Sequence, residues 1–220
     1  MSSSTLPSDL LALLNEVKDY LADDTPRHAL ADWLVKNGRD DSERARGEFI
    51  RLQCQRARCA PHDPARHEIE AREQHLRHQY APAWLEVWQP WVGNQPDLEE
   101  QWALTSSPSL QSWQFERGLV RASLRGVRWL DDIPSQHHAW AWIDALDLAG
   151  LTTQNVVNLA ASAVLEHVNS LTLGPAAVGD DGWRALAQCK SLRRLISLVL
   201  FDGAIGPAGA LALAASPAGR

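Results

Sequence analysis

The chain changes its hydrophobic rhythm partway along. From residue 8 to about 88, apolar residues recur every three or four positions, the spacing of a single helical stripe. Leu10, Leu13, Leu14, Val17 and Leu21 predict a first helix, with Ser8 placed to cap it. Thr25-Pro26, a capping residue followed by a proline at the first helical position, predicts a second helix that stops at Asn37-Gly38. Its inner face reads as Ala29, Leu30, Trp33 and Leu34. A third helix is expected from about Ser42 to Arg58, with Ala45, Phe49 and Leu52 inward and the arginines mostly outward. A fourth, polar on most sides, should occupy roughly 64–79, after which Pro82 permits a short turn carrying Trp84, Leu85 and Trp88.

Between Pro90 and about Pro108 the pattern lapses into prolines, serines and a glycine, with Trp91 and Trp102 among them. Exposed tryptophans are unfavourable, so this stretch predicts a packed-down junction. The organisation that follows is a helical domain at 1–90, a junction at 91–118 and a repeat region at 119–220.

The repeat region carries two patterns with one period. Trp140, Ile143, Leu146 and Leu148 are spaced like Leu165, Val168, Leu171 and Leu173, and like Leu192, Leu195, Leu198 and Leu200. Independently, "LTTQNVVNLA", "VGDDGWRALA" and "IGPAGALALA" begin at Leu151, Val178 and Ile205, each 27 residues after the last. Every copy joins an alternating apolar piece to a helical piece, so each strand can be covered by the helix of its own unit. One such unit cannot bury both of its faces. Stacked neighbours can, which predicts an α/β architecture of parallel strands on a concave side and helices outside. "LVRASLR", with Val120, Ala122 and Leu124 inward, reads as an earlier strand that starts the stack.

If Leu146, Leu148, Leu171, Leu173, Leu198 and Leu200 point inward, the alternate residues line the concave face. The residues expected there to meet a partner are Arg121, Ser123, Arg125, Asp147, Thr172, Val199 and Phe201. With Ala145, Ala149, Ser170, Gly174 and Ser197, which alternate with the same leucines, the face as a whole reads as mostly small and polar. Only Arg121, Arg125 and Phe201 are of the kind that anchors interfaces. The last copy reads as a strand and helix without a polar cap, so self-association through that open edge is a further expectation.

These residues resemble leucine-rich repeats of the ribonuclease-inhibitor type, whose longer units carry an "IG..GA.ALA" signature that "IGPAGALALA" matches. The resemblance covers roughly residues 119–216. The asparagine that such repeats place between turns is replaced by Ala176 and Gly203. "HALADWLVKNGRDDSERARGEFIRLQCQRAR" is similar to the bacterial repeat-companion domain, and "FERGLV" at 115–120 to the junction that follows it in such proteins. These likenesses imply architecture far more than activity; the expectation of a module that binds proteins rests on the class of scaffold.

Composition narrows the remaining options. The 220 residues carry a formal net charge of -6, which disfavours a general binder of nucleic acid or anionic membrane. Three cysteines, Cys54, Cys59 and Cys189, are too few for a disulfide framework and suit a reducing compartment. The N-terminal apolar stretch is cut by Asn15, Glu16 and Lys18, so it reads as neither signal peptide nor membrane span. A cytoplasmic protein without membrane contact is expected.

Two clusters suggest other chemistry. Cys54, Cys59, His62 and His67 lie close enough to raise the question of zinc, but their spacing is unlike the usual zinc ligand sets, and solvated histidines on a polar helix are the favoured reading. Arg44, Arg46, Arg51, Arg56 and Arg58 give the third helix a basic character. A regulator gripping nucleic acid through residues 44–58 is therefore the alternative function, although Asp40, Asp41, Glu43 and Glu48 offset that charge. His137-His138 lacks an accompanying nucleophile motif and reads as a loop before a repeat. The expectation is a non-catalytic protein-interaction module that needs no cofactor.

Overall fold

The computed structural model describes residues 6–89, 112–133, 137–174, 177–201 and 205–216. Trp91, Trp102, Ala176 and Gly203 lie outside the described residues, as does most of the expected junction. The chain divides into two compact units, Met1–Gln89 with Phe115–Leu119, and Pro90–Gln114 with Val120–Arg220.

The first unit is helical: α1 (Ser8–Asp19), α2 (Thr25–Asn37), α3 (Asp41–Arg58) and α4 (Pro64–Trp84). Neighbours in sequence pack on one another, α1 on α2, α2 on α3 and α3 on α4. The predicted stripe of α1 is buried at Leu10, Leu14 and Val17. Ser8 is not its cap, because the helix begins at Ser8 itself and Pro7 precedes it without a side-chain hydrogen bond. In α2 the buried face is turned from the expected one: Leu30, Ala31 and Leu34 are buried, whereas Ala29 is exposed and Trp33 half-buried. Helix α3 is capped by Asp40, whose carboxylate accepts from the Glu43 backbone N–H at 2.8 Å. Helix α4 runs past its expected end and takes in Pro82. Trp84 thus sits on the helix, where its Nε1–H donates to the Ser42 carbonyl at 3.0 Å.

Strand β1 (Ser112–Glu116) falls inside the segment read as a junction. It is followed by β2 (Leu119–Arg125), β3 (Ile143–Ala149), β4 (Ser170–Leu173) and β5 (Ser197–Leu200), and one sheet orders them β1-β2-β3-β4-β5. Between β1 and β2 the turn residues Arg117 and Gly118 have φ of 44° and 91°. Positive φ at both centres suits the mirror-image turns that join hairpin strands. Gly118 is also held by space, since a Cβ there would lie 2.4 Å from the Ile50 side chain.

From β2 onward the pairing is parallel. Leu146 on β3 stands beside Ala122 on one side and Leu171 on the other, and Leu171 beside Leu198. The repeated spacing thus brings equivalent residues into one register. Helices α5 (Thr153–Ala161), α6 (Asp180–Ala187) and α7 (Pro207–Ala214) follow β3, β4 and β5 in turn, with α6 packed against both α5 and α7. Thr152 opens α5 with a reciprocal cap, accepting from the Asn155 N–H while the Asn155 side chain accepts from Thr152. Val156, Leu159, Trp183 and Leu186 are buried on α5 and α6. The fold is mixed α/β with a helical N-terminal region. No described helix is long and apolar enough to cross a membrane.

Candidate functional site

Two groups of side chains hold the residues singled out from the sequence, one in each unit. The first lines the face of the sheet opposite the buried leucines. Pairing places Ser123 beside Asp147, Asp147 beside Thr172 and Thr172 beside Val199, so a single row crosses four strands. Arg121 stands in the next row with Ala145 and Ser170, and Arg125 beside Ala149.

That face is not uniformly open. Ser123 and Asp147, expected to be accessible, are only 5% and 2% exposed, and Ala145 and Ala149 beside Asp147 are buried as well. A polar residue at an alternating position normally signals solvent, but here β3 is closed on both faces. The Asp147 carboxylate is thinly satisfied. Ser123 Oγ donates to its Oδ2 at 3.5 Å, Arg121 Nη1 lies 3.9 Å from the same oxygen, and the buried Oδ1 has no hydrogen-bond partner. Toward β5 the face opens: Thr172 and Val199 are half-buried and Phe201 is exposed. At the other end Arg121 is half-buried and Arg125 exposed. The chemistry on offer is therefore a cationic border and an apolar, aromatic border on either side of a closed centre.

The second group lies in the helical unit, where sequence reading put a basic surface. Its arginines mostly face carboxylates. Arg51 pairs with Asp32, Arg56 Nε donates to Glu73 Oε2 at 2.8 Å, Arg58 Nε to Asp24 Oδ2 at 3.1 Å, and Arg44 Nη1 to Asp41 Oδ1 at 3.0 Å. Arg46 is buried. Its guanidinium lies 5.7 Å from the Trp84 ring and 5.8 Å from the Phe115 ring, and donates to the Gly118 carbonyl at 3.4 Å. Burial pulls its pKa down to about 9, with Glu43 opposing.

Gln53 is the residue that sequence reading missed here. Its Nε2–H donates to Glu73 Oε1 at 2.8 Å and to the Phe115 carbonyl at 3.1 Å, while its Oε1 accepts from the Gly118 N–H at 2.8 Å. One amide thus serves a helix and a hairpin turn together. Asp24 plays a similar part, holding Arg58 and Arg117, each at 3.1 Å. Burial pushes its carboxyl up, but the hydrogen bond and charge of Arg117, aided by Arg58 and Arg27, outweigh it and hold it below the usual carboxylate value.

The cysteine and histidine candidates are spread out. Cys54 is buried in α3, where burial and then the nearby Asp24 charge push its thiol up to about 11. Cys59 is half-buried, and His62 and His67 are exposed. Among the described residues no three His, Cys, Asp or Glu side chains come together as a metal site. His137 caps a 3₁₀ turn, its Nδ1 accepting from the Ala139 N–H at 3.2 Å, and stacks on His138 at 4.3 Å. A pocket of about 430 Å³ in the second unit is lined by Arg128, Asp131, Asn155, Asn158 and Ser162 among others. Its amides and hydroxyl are already engaged, Asn155 in the α5 cap, Asn158 with Gln154 and Ser162 with the Leu159 carbonyl. No protein-family model, curated protein or solved structure matches this chain.

Proposed function

We propose that this chain is a non-catalytic protein-interaction module, a helical domain of the repeat-companion kind joined to a short arc of leucine-rich repeats. In this reading the strands form the concave side of a solenoid, and a protein partner spans the cationic and aromatic borders of the sheet face. The observation that carries it is the shared register, in which Leu146, Leu171 and Leu198 stand side by side on parallel strands while α5, α6 and α7 follow in step. Such a scaffold presents a broad surface rather than a cleft. Asp147 and Ser123 contribute structure to it, and contact falls to Arg121, Arg125, Thr172, Val199 and Phe201. The carboxylates facing the α3 arginines count against the nucleic-acid reading of that helix.

The test compares proteins captured from the host lysate by the native chain and by a variant carrying Arg121→Glu, Arg125→Glu and Phe201→Ala. Arg184→Glu, on the exposed side of α6, serves as control. The reading expects at least one protein to be retained by the control and lost with the triple variant. An identical set from all three baits would move the site off this face.

A further inference from the structure

The last repeat differs from its neighbours in burial. Leu171 and Leu173 on β4 are fully enclosed, whereas their counterparts Leu198 and Leu200 on β5 are half-buried. On the helices, Leu159 and Leu186 are enclosed and Leu213 is half-buried, while Ala210, at the place of Val156 and Trp183, is exposed. Ile196, Phe201, Ile205 and Leu211 are 72%, 51%, 37% and 71% exposed. The whole outer side of this unit, strand and helix together, is a core surface without a neighbour among the described residues.

The backbone says what can cover it. Ser197 and Phe201 donate their N–H groups to Asn169 and Leu173 on the β4 side, so by alternation Leu198 and Leu200 direct theirs outward. An outward pair two residues apart is self-complementary under a two-fold axis. We infer that this edge pairs with the same edge of a second copy, antiparallel, with the axis at Val199. Leu198 of each copy then exchanges two backbone hydrogen bonds with Leu200 of the other, and Val199 faces its own counterpart on the open sheet face. A two-fold perpendicular to the sheet keeps both helix layers on one side, so α7 meets α7 and the half-buried leucines close on one another. A parallel arrangement would instead set the Lys190 and Arg193 of one copy beside those of the other. The antiparallel one parts them to opposite ends of the strand pair.

The contact is small. A four-residue strand is about 13 Å long, an eight-residue helix about 12 Å, and the cross-section they share is far below the ~800 Å² per partner of a standard interface. The dimer is accordingly reversible and concentration-dependent. It shares Val199 with the proposed contact surface but not Arg121 or Arg125, so its loss is read by sedimentation of the chain alone, and the loss of a separate protein partner by Arg121→Glu with Arg125→Glu, which leave the edge intact.

The experiment is sedimentation of the full chain from micromolar to millimolar concentration, alone and with charges at the axis. Val199→Lys and Val199→Glu should each stay monomeric, and an equimolar mixture should dimerise at least as well as the native chain, because Lys then faces Glu. Folding of both variants is checked by circular dichroism. A native chain that stays monomeric throughout, a Val199→Lys protein that associates as the native does, or a folded mixture that stays monomeric would each overturn the inference. Amide exchange reads the same geometry without a variant: Leu198 and Leu200 should slow with concentration while Ser197 does not, and a concentration-independent pattern at all three would also overturn it.

Discussion

The two units solve the problem of a buried interior differently. In the helical unit, ionised and amide side chains are taken inside and matched, as Asp24 with Arg58 and Arg117, and Glu73 with Gln53 and Arg56. In the strand–helix unit the interior is a ladder of leucines and valines, enclosed at β3 and β4 and half-open at β5. The contrast teaches where each unit is vulnerable. A matched polar interior is specific, because removing one partner leaves the other buried and unsatisfied. A stacked apolar interior is graded, because what a residue contributes depends on whether a neighbouring unit covers it.

The sharpest way to break that contrast is along the ladder itself. Leu171→Ala should lower unfolding free energy by about 2–5 kcal/mol, the usual cost of emptying an enclosed leucine site. Leu198→Ala, at the equivalent half-open position, should cost less than half as much, and denaturant titration of both variants measures the ratio. Equal costs would mean that β5 is as well covered as β4. Next in size, Gln53→Ala should cost about 1–3 kcal/mol, since the Gly118 N–H and a Glu73 oxygen lose their partner together. A Gln53→Ala protein as stable as the native one would show that the polar interior of the helical unit is incidental.

The pH response should separate the units further. Asp24 has a folded-state pKa below its unfolded value of ~3.9, so its stabilisation is fully present above that value and disappears as pH falls through the folded pKa. Unfolding followed from pH 6 downward, to about pH 2, should therefore show a loss that Asp24→Asn makes shallower. An unchanged slope in that variant would assign acid sensitivity elsewhere. The smallest effect is expected at Phe201→Ala, within about 0.5 kcal/mol, as for an exposed surface residue. A larger loss would mean that the ring already packs within the monomer.

How far sequence foretold this arrangement depends on whether a residue's role is periodic or singular. Leu146, Leu171 and Leu198 were legible because a repeated spacing forces equivalent residues onto one face. The stripe of α1 was legible for the same reason. Gln53, Asp24 and Arg46 were not, because each acts through one distant partner, the hairpin at Arg117-Gly118 or the rings of Trp84 and Phe115, and no local pattern encodes that meeting. Strand β1 was hidden likewise. Its Trp113 and Phe115 sit beyond a proline- and serine-bearing stretch, and what orders Phe115 is the company of Phe49 and Trp84, with ring centroids 5.2 and 5.5 Å away. On the sheet face, alternation correctly gave the row from Ser123 to Val199. It could not tell that the row closes at Asp147, since alternation assigns a side and not its cover.

The claim that this chain works by holding another polypeptide is tested most directly by native mass spectrometry of the protein purified from its own host, with and without the Arg121, Arg125 and Phe201 substitutions. The expected native species carries a second polypeptide, another copy or a different protein, with the different protein lost from the substituted chain. A chain that carries only nucleic acid, or that stays a bare monomer at every concentration sprayed, would contradict it.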